Sequence, residues 1–184
     1  MGCHSTKELK METLKKNDFK AANGFKSDQC KIFLSPEDIK IIRSSWRDLT
    51  KKGDFKTHGI NVMIKIFQRH PEIKHIWKFA AKLNTEEEMR ENPQLRSHGN
   101  NIFEAINAAV NTLEKNNRSN SSLVELGKKH TFYGAKKCYF HIMQDAFIEV
   151  LSEALGSEFN EQMKIAWLKC FEFITCQMSK GLVE

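Results

Sequence analysis

The chain has 184 residues, which suits one domain with a modest extension, and 40% of its residues are hydrophobic. It has only three prolines and nine glycines, a composition that favours helices. The formal net charge of +6 comes from lysines spread along the whole chain without interleaved aromatic residues, so we expect no nucleic-acid binding. Because no stretch of about 18 apolar residues occurs, we expect no membrane-spanning helix.

The cysteines are odd in number, form no CxxC pair and follow no apolar signal peptide; they are Cys3, Cys30, Cys138, Cys170 and Cys176. This pattern predicts a reducing, cytosolic compartment and no disulfide framework. We expect the last three cysteines to be buried small hydrophobes.

Residues 1–33 are polar, lysine-rich and weakly periodic, which predicts a flexible N-terminal extension. Once the initiator methionine is removed, Gly2 would be the first residue, and Thr6 four positions on completes the pattern for N-myristoylation. Cys3 beside that glycine fits palmitoylation, and a second acyl chain would make membrane attachment stable. The lysines that follow would add attraction to anionic lipid. The alternative is an ordinary tail that happens to begin Met-Gly-Cys.

A helical domain is predicted from residue 34 onward. Ser35-Pro36-Glu37-Asp38 combines a capping hydroxyl, a first-turn proline and acidic side chains at the positive end of the helix dipole. Apolar residues then follow at helical spacing as far as Gly53. A second helix is predicted from about Phe55 to Arg69, and it ends at His70-Pro71 because the residue before proline is pushed out of helical geometry.

The helical pattern continues to the end of the chain. A corner with a short helical turn and a charged stretch, 84–91, come next, and Asn92-Pro93 then precedes a helix predicted to run to about Glu114. A polar loop and a shorter helix ending near Gly134 come next, and then two longer helices at about 137–155 and 158–180. Because strand alternation and repeats are absent, the sequence predicts an all-α domain of about seven or eight helices.

Two of the seven histidines lie on apolar helical faces. Leu95 and Ile102 flank His98 at helical spacing, and Leu126 precedes His130 by one turn. A buried neutral imidazole needs a partner, but periodicity alone favours an ordinary core histidine over a metal ligand. The sequence has no HExxH, Cys–His zinc spacing, EF-hand loop, glycine-rich phosphate loop or GxSxG motif. Nothing therefore indicates nucleophilic catalysis.

Other polar groups have simpler interpretations. His58 and His70 lie near predicted helix ends, where capping is the better explanation. The carboxylate run 86–88 suits a solvated helix start better than an acid–base pair.

The order of these features resembles the globin family over residues 34–182. Two motifs look like the globin first helix and proline corner, and two look like the distal-histidine and proximal-histidine motifs. Another resembles the tryptophan motif of the last helix, and the stretch 130–140 looks like a neuroglobin-type connection. In chain order the five motifs are Leu34-Ser35-Pro36-Glu37-Asp38 with Trp46, Phe67-Gln68-Arg69-His70-Pro71-Glu72, Pro93-Gln94-Leu95-Arg96-Ser97-His98-Gly99, Leu126-Gly127-Lys128-Lys129-His130 and Ala166-Trp167-Leu168.

The resemblance implies a globin domain at 34–184, a three-over-three helical sandwich around haem b. It implies that His130 is the permanent proximal iron ligand and that His98 lies on the distal side. Trp77 occupies the corner position that is phenylalanine in nearly all globins, so either Trp77 stacks on the porphyrin or the corner shifts to Phe79. We favour Trp77. The full set of implied haem contacts adds Met63, Ile102, Ala135 and Met143, although core packing alone would also explain Met63, Ile102 and Met143.

The acylation pattern, long tail and neuroglobin-like spacing look most like globin X and related acylated invertebrate globins, including nematode ones. That likeness implies attachment to the cytoplasmic side of a membrane, with the plasma membrane expected. It also implies bis-histidyl iron from which His98 can be displaced, acting in redox or electron-transfer signalling through oxygen, nitrite or superoxide chemistry. Reversible oxygen storage or supply, and sensing of oxygen or nitric oxide, are the alternatives. Carbon monoxide would be a further gas ligand, and enzymatic activity, the electron donor and a homodimer stay open.

Overall fold

A computed structural model describes residues 32–116 and 120–183. The predicted extension up to residue 31, with the proposed acylation positions Gly2 and Cys3, lies outside the described residues. The described part contains no strand; its α-helices are α1 (Pro36–Lys51), α2 (Phe55–Arg69), α3 (Glu86–Glu91), α4 (Pro93–Asn116), α5 (Ser121–Phe132), α6 (Tyr139–Leu155) and α7 (Glu161–Gly181). Short 3-10 turns span Pro71–Ile76, Lys78–Ala80 and Gly156–Glu158.

The start of α1 follows the predicted capping pattern. The Ser35 hydroxyl accepts a hydrogen bond from the Asp38 backbone N–H at 3.1 Å, and the Asp38 carboxylate accepts from the Ser35 backbone N–H at 3.0 Å. Lys169 on α7 also donates to both Asp38 oxygens at 3.0 Å. Partial burial would raise the pKa of Asp38, but the hydrogen bonds from Lys169 and Ser35 hold that pKa below its usual value. The same carboxylate therefore caps α1 and ties it to α7.

The long helices pack in two layers. Helix α2 packs most extensively against α4, and α5 against α7, while α1 contacts both α4 and α7. Helix α6 lies beside α2 and α7. Helices α1, α4 and α5 thus form one layer over α2, α6 and α7, as the predicted three-over-three arrangement requires.

Two helix crossings are so close that only glycine fits. A Cβ at Gly59 of α2 would collide with the backbone of Gly99 on α4. A Cβ at Gly127 of α5 would collide with the carbonyl of Met178, and Gly181 meets Val124 in the same way. Gly99 directly follows His98 in the sequence, and Gly127 precedes His130 by three residues. The close packing at these two crossings therefore determines the positions of His98 and His130.

Aromatic side chains fill the core between the layers. Trp46 packs against Phe103, Phe147 and Trp167 with ring centroids 5.6, 6.4 and 5.8 Å away. The indole of Trp46 donates to Asn107 Oδ1, and that of Trp167 donates to Ser45 Oγ, both at 2.9 Å. The two tryptophans of the motifs are thus core residues whose N–H groups are satisfied.

Sequence reasoning about the cysteines was partly wrong. Cys170 is a free, fully buried thiol, as expected, and burial raises its pKa to about 12. Cys138 and Cys176, however, are disulfide-bonded. Without a CxxC pair, the spacing of cysteines along the chain does not reveal which thiols meet in space.

Candidate functional site

His130 lies in the last turn of α5 with its ring held by its own helix. The distance from its Nδ1 to the Leu126 carbonyl oxygen is 2.8 Å. A carbonyl can only accept, so Nδ1 carries the hydrogen of this bond. In the neutral ring the lone pair is then on Nε2, on the side away from the helix. A ring nitrogen oriented by a backbone carbonyl in this way is a typical metal ligand.

His98 lies on α4 immediately before the glycine crossing with α2. Burial lowers the pKa of His98 to about 4, and the charge of His130 lowers it in the same direction. The ring is therefore neutral at pH 7, and it lies near enough to His130 for the two to interact electrostatically. Among the described residues the His98 ring makes no hydrogen bond. In this part of the chain, neither ring nitrogen of His98 is hydrogen-bonded to a protein group.

Trp77 is the aromatic side chain beside His98. Its ring meets that of His98 edge-on with centroids 5.6 Å apart, and it meets Phe67 of α2 at 5.3 Å. Phe79 is also partly buried against the core but makes no such ring contact within the described residues. The geometry therefore favours the first of the two corner alternatives, while the contact of either ring with a porphyrin stays a prediction.

The remaining predicted contacts fall into two groups. Ile102, Ala135 and Met143 are partly buried and pack against the edge of the core. The backbone N–H of Ala135 donates to the His130 carbonyl at 3.2 Å, so the chain folds back against the end of α5. Met63 is fully buried, which agrees with the core-packing alternative for this residue.

These residues fit a haem. Two imidazoles, one of them oriented by a carbonyl, are the protein donors that a haem iron accepts, and partly buried apolar side chains suit a flat hydrophobic macrocycle. Among residues 32–116 and 120–183, no group of three or more His, Cys, Asp or Glu side chains could hold a metal ion. In that same part of the chain, no helix is long and apolar enough to cross a membrane.

His58 was expected to cap a helix end, and its contacts show how it does so. It is buried, and its Nε2 lies 3.2 Å from the Leu49 carbonyl near the end of α1, the preceding helix. Its ring stacks on Phe103 with centroids 5.8 Å apart. His70 is the residue that ends α2, and its ring lies 3.1 Å from Glu72 Oε1.

The comparisons with known proteins agree with the fold and the site. The Globin family model matches residues 60–178. Neuroglobin of Tetraodon nigroviridis is 26% identical over 148 residues, which cover 80% of this chain and 92% of the relative. Cytoglobin-1 of Danio rerio is 27% identical over 153 residues, covering 82% and 87%. Cytoglobin-2 of Danio rerio is 31% identical over 137 residues, covering 74% and 75%.

The chain belongs to the globin family. Within that family it is of the neuroglobin type, as the match to neuroglobin and cytoglobin relatives indicates. Membership makes it a haem-binding protein that takes diatomic gases such as oxygen. The sequence motifs had indicated this class.

Sequence reasoning did not identify the groups that position the rings of His130 and Trp77. The Leu126 carbonyl that orients His130 lies one turn upstream, so the four-residue spacing could have indicated it. The aromatic edge between Phe67 and Trp77 had no such signal, because it depends on how the corner folds back on α2.

Proposed function

We propose that this globin holds haem b between His130 and His98 as a six-coordinate, bis-histidyl iron. The observation that carries the proposal is the pairing of two imidazoles from α4 and α5: the ring of His130 is oriented by the Leu126 carbonyl, and that of His98 has no hydrogen bond within the described part of the chain. When bound, haem supplies one-electron redox chemistry and gas binding, and the protein tunes both through its axial ligands and the polarity around them.

The two histidines differ in how firmly they are held. The Leu126 carbonyl fixes the ring of His130, which suits a permanent ligand. The ring of His98 is restrained by packing against Trp77 rather than by a hydrogen bond, which suits a ligand that can leave. An external gas would compete with His98, so its apparent affinity would be lowered by the fraction of molecules in which His98 is detached.

A closed bis-histidyl site suits electron transfer better than storage, because an electron can pass without opening a coordination position. We therefore propose a redox or signalling role, with electrons passed to oxygen or nitrite. The Gly2 and Cys3 motif supports attachment by myristoyl and palmitoyl chains to the cytoplasmic side of a membrane, which we take to be the plasma membrane. The redox partner would then be met at that surface.

Absorption spectra of the ferric and ferrous protein test the coordination. The wild type should show low-spin bands in both states, and His98→Ala should lose them. His141→Ala, at an exposed position on α6, is the matched control and should keep them. A high-spin, five-coordinate ferrous spectrum in the wild type would contradict the proposal and favour reversible oxygen storage.

The redox role and the attachment need separate tests. A six-coordinate protein that could not be cycled by a physiological reductant would contradict electron transfer. For attachment, the full chain is expressed in a eukaryotic cell that supplies both N-myristoylation and palmitoylation, and its mass and membrane fraction are measured. Gly2→Ala should lose the added mass and the membrane fraction, whereas Ser5→Ala should keep both. An unmodified wild-type N-terminus would contradict acylation.

A further inference from the structure

The end of α5 and the C-terminal residues beside it expose apolar side chains to solvent. Phe132 is 88% exposed, Tyr133 71% and Val183 75%. These are three of the five large hydrophobic residues exposed in the described part of the chain. Val183 belongs to the same patch, because its backbone N–H donates to the Thr131 hydroxyl at 3.1 Å. We name Phe132, Tyr133 and Val183 the aromatic tip.

Lysines flank the aromatic tip in the sequence. Lys128 and Lys129 precede it in α5, and Lys136 follows it, all three of them exposed. The acidic side chain in the same stretch is Glu125, which pairs with Lys128 at 2.6 Å. The patch is therefore both apolar and strongly positive.

The backbone holds the aromatic tip in a defined turn. The N–H groups of Tyr133 and Gly134 donate to the His130 and Thr131 carbonyls, both at 3.1 Å. Gly134 has a φ of 74°, which favours glycine at the reversal of the chain. The two aromatic side chains therefore project into solvent from a hydrogen-bonded turn. Because the backbone of this turn is already ordered, binding would require little further loss of backbone entropy.

We propose that this patch is a membrane-contact site whose partner is a bilayer that contains anionic phospholipid. Aromatic side chains at the headgroup level and lysines facing anionic lipid are the chemistry of an interfacial protein–lipid contact. The two exposed rings are flanked in the sequence by exposed lysines, so the rings could enter the headgroup region while the ammonium groups meet phosphates. An acidic protein would satisfy the lysines but would have to supply a pocket for two protruding rings, whereas the headgroup region of a bilayer receives such rings without one.

The contact would orient the haem site. Phe132 and Tyr133 follow His130 by two and three residues in the sequence, so a bilayer bound here would face the proximal side of the globin. This inference goes beyond the proposed redox function. It does not depend on acylation of Gly2, since the patch lies in the folded domain.

The experiment uses the full-length, haem-loaded chain carrying Gly2→Ala, so that acylation plays no part. Its binding to vesicles of phosphatidylcholine with about one-third phosphatidylserine is measured by co-sedimentation against pure phosphatidylcholine. We expect binding to the anionic vesicles that weakens with salt. Adding Phe132→Ser with Tyr133→Ser should weaken binding about tenfold, because two aromatic side chains no longer leave water. Ile165→Ser, on α7, is the matched apolar control and should bind normally.

A second pair of variants separates the patch from overall charge. Lys129→Glu with Lys136→Glu should weaken binding by at least about fivefold. Lys40→Glu with Lys56→Glu changes the net charge by the same amount, at exposed positions outside the patch. This control pair should weaken binding much less. Equal losses in the two lysine pairs, or normal binding by the aromatic variant, would overturn the proposal. So would self-association in solution that depends on Phe132 and Tyr133. Unchanged haem spectra in each variant confirm that it is folded.

Discussion

Trp77 is the side chain whose ring contacts that of His98, the proposed distal ligand, with ring centroids 5.6 Å apart. If that contact helps hold His98 on the iron, Trp77→Leu should speed the binding of carbon monoxide to the ferrous protein. The expected increase is about two- to tenfold, since an aromatic pair contributes about 0.5–1.5 kcal/mol. Stopped-flow mixing measures the rate. Phe79→Leu is the control, and a larger effect there would mean that Phe79 is the haem-packing corner residue.

His58 predicts an acid-sensitive stability away from the haem site. Burial lowers its pKa below the ordinary 6.5, and the hydrogen bond with the Leu49 carbonyl only partly offsets this. Below pH 6.5 the unfolded chain therefore binds a proton that the folded chain does not, so the free energy of unfolding falls as the pH drops. His58→Gln keeps a donor for that carbonyl without the titration.

The measurement is denaturant unfolding of wild type and His58→Gln from about pH 8 to about pH 5. All other titratable groups are the same in both proteins. The difference between their two profiles of unfolding free energy against pH therefore reports the contribution of His58. The wild type should lose more stability than the variant on acidification. Parallel pH profiles would show that His58 does not contribute.

At the scale of the helices, the close crossing of α5 with α7 positions the helix that carries His130, the proposed proximal ligand. A Cβ at Gly127 would collide with the backbone of Met178, which cannot move aside as a flexible side chain could. Gly127→Ala should therefore cost about 1–3 kcal/mol or more of unfolding free energy. It should also speed haem loss, because α5 must shift and His130 lies on it. Lys128→Ala, at the next and exposed position, should do neither. Normal haem retention in Gly127→Ala would contradict this role of the crossing.

Helix positions could be predicted well because local chemistry sets them. The Ser35 capping box, the span of α2 and its end before Pro71 all follow from side chains within a turn of each other. The carboxylate run 86–88 is the solvated helix start that the sequence indicates, because the short helix α3 begins at Glu86 and is capped by Thr85. The amphipathic signal of α3 is weak because it spans less than two turns and Met89 is its one buried residue.

Long-range features could not be predicted from local pattern. His98 and His130 were singled out by their apolar faces, and the ordered motifs then indicated haem. Their electrostatic coupling, the glycine crossings beside them and the disulfide bonding of Cys138 and Cys176 all depend on how distant helices meet. A single sequence carries periodicity along each helix but little information about which residues face each other across two helices.

For the whole molecule, haem is expected to complete the core. Trp77, Phe79, Ile102, Ala135 and Met143 are only partly buried against the core, and they are the residues proposed to cover the porphyrin. A ligand that binds the folded state alone stabilises it by about 4 kcal/mol at a thousandfold excess over its Kd. For a chain of this size, that corresponds to a Tm about 10 °C lower without haem.

Thermal unfolding followed by far-ultraviolet circular dichroism measures this difference between haem-loaded and haem-free protein. His130→Ala, which removes the proposed permanent ligand, should lose most of the stabilisation by haem. His98→Ala should keep a larger share, because the iron remains held on the proximal side. His141→Ala should behave as the wild type. Equal Tm values with and without haem would mean that these apolar side chains belong to the protein core alone. Equal losses of Tm in His130→Ala and His98→Ala would contradict the assignment of His130 as the fixed ligand.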